Sequence, residues 1–443
     1  MKRLLLVVLI LLVSDGYGMG WFKRARGGGV GETKAEVAPI LLDESKTAPI
    51  LSRDSFSNFT VSQSVPAYGT IWSSDGSKLL ARFSEHNVDK IQVYRVAADK
   101  LIALGVAVPG RAAGWSSDGS KLWVQSKQDE IQVYQVSDEE LVAIGTTVPG
   151  YEAGLDSNGS KLWVKFLDHG VDRIQLYKVM ADRLVAEEGL STITNVMAAG
   201  WSPDGSKIWV RFTNVDDVLE VVVGRFNAYG LVRMNVDSIL GVTDIGWGPD
   251  ESKLWMKFNH NGFDIIRLYL VDDFGLKVAK VSPFYGSSMG WNSNGSRLWV
   301  MDNSDIINKI QIYQFASKDQ LMRFGEQFIS GDDAGWSLDG SKLWVRFRNS
   351  DYKYMIQAYQ IATGKLVKVG EPVFGSAAGW GSGGSKLWVL DSRTKKLRFY
   401  KIVNDRLEAV PLPIMSDRNA SWSPDGSKLL VYGELLATVY FGD

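Results

Sequence analysis

The chain has no cysteine, only three histidines and almost no net charge: 49 Lys and Arg stand against 50 Asp and Glu in 443 residues. Without thiols there are no disulfides, no thiolate metal sites, no thiol nucleophile and no lipidated N-terminal cysteine; the redox compartment stays undecided. A formal charge of −1 offers no basic surface for nucleic acid or an anionic membrane. Long apolar runs are also scarce. The notable one, Leu4 to Val13, has ten residues, which as a helix would span about 15 Å, roughly half a bilayer core. Glycine-rich phosphate loops leading into helices, serine-centred elbows and zinc signatures are missing as well.

The N-terminus is nevertheless informative. Lys2 and Arg3 precede the apolar run, and Gly16 and Gly18 follow it. This is the three-part layout of a secretory signal, with cleavage after Gly18. Residues 1–18 are therefore expected to be a signal peptide, and the product to be periplasmic or secreted rather than an integral membrane protein. Residues 19–55 read as a flexible linker, with Gly27-Gly28-Gly29 and a mixture of charged and small residues. Within it Ala38-Pro39-Ile40-Leu41 recurs as Ala48-Pro49-Ile50-Leu51, and a docking peptide is the second reading of this stretch.

From residue 56 onward the chain repeats itself. Trp115-Ser116-Ser117-Asp118-Gly119-Ser120-Lys121-Leu122-Trp123-Val124 has close copies beginning at Trp72, Leu155, Trp201, Trp247, Trp291, Trp336, Trp380 and Trp422. The spacings run from 40 to 46 residues, the mark of a repeat architecture. Each copy reads as four short strands. In the second they are expected at 112–116, 121–125, 130–136 and 141–148, here termed A to D. Strand B tends toward Lys-Leu-Trp-Val-Arg-Phe and strand C toward Ile-Gln-Val-Tyr, both alternating at period two and rich in β-branched and aromatic residues.

The A–B connection has turn chemistry. In Ser202-Pro203-Asp204-Gly205, Ser suits the first position, Pro presets φ at the second, Asp tolerates the third and Gly takes positive φ. The Asp residues thus have a backbone job rather than forming nine catalytic acids. At Asp250-Glu251 the glycine is replaced by Glu, at an expected cost of about 1 kcal/mol if that residue is left-handed. Fifteen of the 16 tryptophans lie in the repeat, eight opening it and seven in strand B. An indole at a fixed place in every sheet serves packing between sheets.

Four-stranded units of this length, repeated radially, make a β-propeller. The expectation is an all-β fold with a single nine-bladed propeller over residues 56–443. After the ninth anchor only strands B and C remain, and an orphan strand, Phe59 to Val65, precedes the first. That orphan should complete the last blade and close the ring. Two smaller propellers are the alternative. Trp201-Ser202-Pro203-Asp204-Gly205-Ser206-Lys207 and Trp422-Ser423-Pro424-Asp425-Gly426-Ser427-Lys428 resemble the WD40-like repeat of TolB-type periplasmic propellers. The resemblance covers roughly residues 56–443 and implies an extracytoplasmic binding scaffold. Such proteins carry an α/β domain before six blades and bind an envelope lipoprotein. Neither that domain nor that blade count is present, so the partner is not carried over.

The nine A–B turns are near copies, whereas the B–C loops differ, and variable loops on a rigid frame are where binding concentrates. The candidate partner-binding residues are Glu85, His86, Asp89, Asp168, His169, Asp172, Asp216, Asp217, His260, Asp302 and Asp305. All three histidines fall in these loops, but in the first, third and fifth repeats, which are not neighbours, so convergence on one metal ion is not expected. No catalytic residue, cofactor or metal is marked out. The expected function is non-catalytic protein binding or scaffolding by a monomer through its B–C and D–A loops. A propeller hydrolase acting on carbohydrate or peptide at the channel mouth is the alternative.

Overall fold

A computed structural model describes residues 59–442, apart from 98–99, 188–192, 228–229, 235–238, 274, 305–306, 318–319, 326–327, 411–418 and 433–435. The signal and linker readings, and Asp305, lie outside the described residues. Among those described, nine antiparallel sheets of four or five strands follow one another along the chain. The second is Ala112–Trp115, Lys121–Gln125, Glu130–Val136 and Leu141–Pro149, hydrogen-bonded in the order A-B-C-D. Strand A thus ends one residue earlier than expected and strand D one later. In four sheets the chain pairs once more with strand C after strand D, through Val108–Pro109, Ile239–Leu240, Phe284–Tyr285 and Ile329–Ser330.

The ninth sheet draws on both ends of the described chain. Phe59–Pro66 pairs antiparallel with Leu436–Gly442, outside Lys428–Tyr432 and Asn419–Trp422. The first strand thus supplies strand D to the sheet whose A, B and C come last.

The A–B hairpins form as the turn chemistry dictates. Gly119 sits at φ 67°, and its N–H donates to the Ser116 carbonyl at 2.9 Å. Asp118 accepts from the Ser116 hydroxyl at 2.6 Å and the Ser120 N–H at 3.0 Å. The Ser116 oxygen also accepts the Lys121 N–H at 2.9 Å. Burial acts to raise the Asp118 carboxyl pKa, but these bonds and the nearby Lys121 outweigh it and hold the group below its ordinary value. Asp75, Asp204, Asp339 and Asp425 behave alike. Glu251 departs from expectation: it is not among the residues of positive φ. That turn, entered through Gly248 in place of Ser, therefore avoids the left-handed conformation and its cost.

The sheets pack face to face through strands B and C, whose inward residues form clusters shared between successive repeats. Leu80, Ile91 and Val93 of the first sheet join Ala113, Leu122 and Val124 of the second, each contributing about 1.5–3 kcal/mol on full burial of a Val, Leu or Ile. Most anchor indoles add a polar link, donating to a strand-A carbonyl of the preceding sheet: Trp201 to Gly154 at 2.8 Å, Trp336 to Gly290 at 3.0 Å and Trp380 to Gly335 at 3.0 Å. The glutamine of the Ile-Gln motif is a buried staple. Gln357 donates to its neighbour's carbonyl, Ala358, and across to Val369 and Gly370, where strand D bulges against strand C.

Candidate interaction face

Because the strands are antiparallel, A–B and C–D turns emerge on one side and B–C loops and D–A connections on the other. On the first side, successive turns bond to one another; the Asp118 N–H reaches the Ser157 carbonyl at 2.8 Å and the Ser157 hydroxyl reaches the Asp204 carbonyl at 2.8 Å. That side is occupied with its own structure.

The opposite side begins with a repeated latch. The last inward residue of strand B is basic in the first, third, fourth, fifth and seventh sheets, and reaches the carbonyl that opens strand A of the following sheet. Arg82 bonds to Arg111 at 3.3 Å, Lys165 to Met197 at 3.1 Å and Arg346 to Ser376 at 2.8 Å; Arg211 and Lys257 do the same to Thr243 and Ser287. Acids stand across strand A from three of these cations, pairing Glu152 with Lys165, Asp244 with Lys257 and Asp333 with Arg346. Burial pushes the Asp333 carboxyl up to about 6 despite Arg346, which also binds Asp332 at 2.7 Å. Glu152 is raised for the same cause, with Lys165 opposing.

The anticipated loop residues lie on this side but do not converge. Glu85 pairs with Lys90 and occupies the end of its hairpin. His86 is at φ 52° in the turn itself. Asp89 holds the Tyr68 phenol, whose pKa rises through burial and that carboxylate. Asp168 takes His169 Nδ1 at 2.7 Å and Arg173 Nε at 2.9 Å, and Asp172 accepts from Tyr151. His260 touches only its neighbour Asn261, at 3.4 Å, among the contacts described. Asp302 is consumed locally, accepting the Ser304 N–H at 2.9 Å and its hydroxyl at 2.6 Å. Asp217 turns the fourth loop at φ 59°. Among the described residues Asp216 and Asp217 form no ion pair. Among the described residues no group of three or more His, Asp or Glu is disposed to hold a metal ion, and no helix is long and apolar enough to cross a membrane.

What charge and histidine did not reveal is the apolar content of these loops. Val88, Leu167, Val215, Phe263, Ile307 and Tyr352 are all exposed, Val215 by 97% and Tyr352 by 80%. Each stands in or beside the B–C turn of a different sheet. One or two apolar residues in an otherwise polar hairpin tip were the available signal. The D–A connections add Leu240 and Tyr285, exposed by 55% and 56%.

Repeated four-stranded antiparallel sheets, packed in chain order by their faces, define the class: a β-propeller architecture. Solved structures agree at the level of fold. A eukaryotic initiation factor superposes with a TM-score of 0.58 at 10% identity, covering 85% of this chain and 90% of that one. Dipeptidyl peptidase 4 of Porphyromonas gingivalis gives 0.52 at 13% identity over 74% of this chain, which spans 57% of the peptidase. No protein-family model matches the sequence, and no curated protein does.

Proposed function

We propose that the protein is a binding or scaffolding module that engages another protein through its B–C and D–A face. The observation that carries this is the set of exposed apolar residues at the B–C ends of six sheets. Solvated side chains of this kind are unfavourable in isolation, and apolar groups gathered on one side, rimmed by polar ones, mark interaction surfaces. The rigid latches beneath them present the tips without an ordering cost. The test compares the wild type with a variant carrying Val88→Ser, Leu167→Ser, Ile307→Ser and Tyr352→Ser. Co-purification from the native envelope and secreted fractions should identify a partner that the variant loses while its melting temperature holds. Turnover of a peptide or glycoside panel, abolished by the same variant, would establish the hydrolase reading instead.

The scaffold is a single ring of nine blades in this reading. A methyl on Gly119 would lie 3.3 Å from Ser73 Cβ in the preceding turn, and one on Gly384 would lie 3.0 Å from Ser337 Cβ. The same relation holds between Gly76 of the first turn and Ser423 of the ninth, at 3.4 Å. Leu430 of the ninth sheet also clusters with Trp72 and Leu79 of the first. The N-terminal strand then closes the ring, and the propeller is a monomer exported by the signal at residues 1–18, with 19–55 as its tether. Small-angle scattering separates a nine-bladed disc from two smaller rings. Mass measurement of the exported protein shows whether the chain begins at Met19.

A further inference from the structure

We infer that the fourth and fifth sheets form the anchoring sector of this face, and that it takes a cationic polypeptide segment bearing apolar side chains; this rests on the binding reading above. Two observations coincide there. Each of these sheets exposes, by more than half in every case, both a loop tip and a residue of the returning strand, Val215 with Leu240 and Phe263 with Tyr285, whereas Tyr68 and Phe328 on other D–A connections are exposed by 40%. These are joined in register. Leu240 pairs with Glu220, next to the fourth loop, and Tyr285 pairs with Ile265, next to the fifth.

The second observation is uncompensated negative charge. Residues 214–220 carry Asp216, Asp217 and Glu220 with no Lys or Arg, and residues 259–266 carry Asp264 with none. None of the four enters an ion pair among the described residues. Glu220 accepts from the Asn214 amide at 2.6 Å, which leaves its charge intact. The strand-B cations of these sheets are committed to the latches, Arg211 to Thr243 and Lys257 to Ser287 and Asp244, and Arg267 of strand C lies over the Phe258 ring. The eighth loop is the reverse, with Arg393, Lys395 and Lys396 against Asp391. A ligand steered by this field is drawn to the fourth and fifth sheets when it is positive and repelled when it is negative.

Geometry limits the ligand further. Packed sheets stand about 10 Å apart. Apolar side chains seven residues apart on a helix are separated by a similar distance, about 10.5 Å. A helix with apolar residues at that spacing and Lys or Arg between them meets Val215 and Phe263 together and sets its cations beside Asp216, Asp217 and Asp264.

The test uses three synthetic peptides of 20 residues: an amphipathic Lys/Leu helix, the same pattern with Glu for Lys, and a Lys/Ser peptide without apolar residues. Binding to the full chain is followed by fluorescence anisotropy at physiological ionic strength. The Lys/Leu peptide should bind at least tenfold more tightly than either other peptide and protect residues 214–220 and 259–265 from hydrogen exchange. Asp216→Lys with Asp217→Lys, and separately Val215→Ser with Phe263→Ser, should each weaken it at least tenfold, with melting temperatures showing that the variants fold. Arg393→Glu with Lys395→Glu should not weaken it. Equal binding of the Glu/Leu peptide, undiminished binding to either first variant, or protection at other loops overturns the inference. The natural partner keeps the two readings apart. If the Val88, Leu167, Ile307 and Tyr352 variant loses it while Asp216→Lys with Asp217→Lys retains it, the sector and its charge rule are wrong and the binding face stands. If neither loses it, both are wrong.

Discussion

A methyl group on Gly335 would stand 2.5 Å from the indole nitrogen of Trp344, its partner in the A–B register. The pair recurs as Gly154 with Trp163, Gly200 with Trp209 and Gly379 with Trp388. Where strand B carries leucine the glycine disappears: Ile71 faces Leu80, and Ser421 faces Leu430. The glycine therefore serves the indole lying across it rather than any backbone freedom, since Gly335 is not at positive φ.

Gly335→Ala should consequently destabilise the protein by about 1–3 kcal/mol, the cost of overpacking. Trp344→Leu alone should also destabilise, by leaving space. Together they should cost less than their sum by at least about 1 kcal/mol, because the leucine frees the volume that the new methyl needs. Additive urea midpoints would show that the two positions are not coupled through this contact.

The buried glutamine of strand C gives a second case. Gln357 is 2% exposed and bonds to three carbonyls, two of them on the bulged strand D. Gln357→Leu fits the space but strands those acceptors, at about 1–3 kcal/mol. Amide exchange in Lys365–Phe374 should accelerate before that of strands A and B in the same sheet. Unchanged exchange there would mean that the bulge holds without the staple.

Turn aspartates and Asp333 pull the pH dependence in opposite senses. Asp75, Asp118, Asp204, Asp339 and Asp425 titrate below their ordinary value when folded. Their contribution is present above pH 4 and is lost as pH falls through the folded values. Solvent screening leaves a few tenths of a kcal/mol each, about 1–2 together. Asp333 binds its proton more tightly when folded, with a value of about 6. Its contribution is full below pH 4 and is lost as pH rises through 6. Asp333→Asn should flatten the stability profile between pH 4 and 6, and leave the protein no less stable at pH 7, Arg346 retaining Asp332. Chemical unfolding across pH 3 to 8 measures both, and an unaltered slope between pH 4 and 6 in the variant excludes Asp333 as its source.

The frame was legible because it is local. Ser202 to Gly205 spells its turn in four residues, and period-two strands lie on either side of it. The inter-sheet roles were not legible. Nothing in the Val-Arg-Phe stretches of Arg211 and Arg346 marks their partners, and only the stacking of sheets shows them reaching Thr243 and Ser376. The local roles of the loop residues were hidden for a related reason. Asp302 and Asp217, candidate partner-binding residues, also bond or turn the backbone of their own short hairpins. Val215 and Tyr352 were overlooked because apolar residues are assigned to cores until a structure leaves them in solvent.

The strand at residues 59–66 offers the last test. It pairs along the whole of Leu436–Gly442, with one irregularity between Val61 and Gln63, and without it the ninth sheet would expose an unpaired edge beside the first repeat. Deleting residues 59–66 should lower the melting temperature by several degrees, and the bare edge should promote association between copies. A synthetic peptide of the missing strand should reverse both effects by adding back to the edge, and a scrambled peptide should not. This recovery would distinguish loss of a closing strand from general truncation damage, because only the former is repaired by a piece supplied in register. A deletion that leaves melting and association unchanged would mean that the ninth sheet is sealed by other contacts.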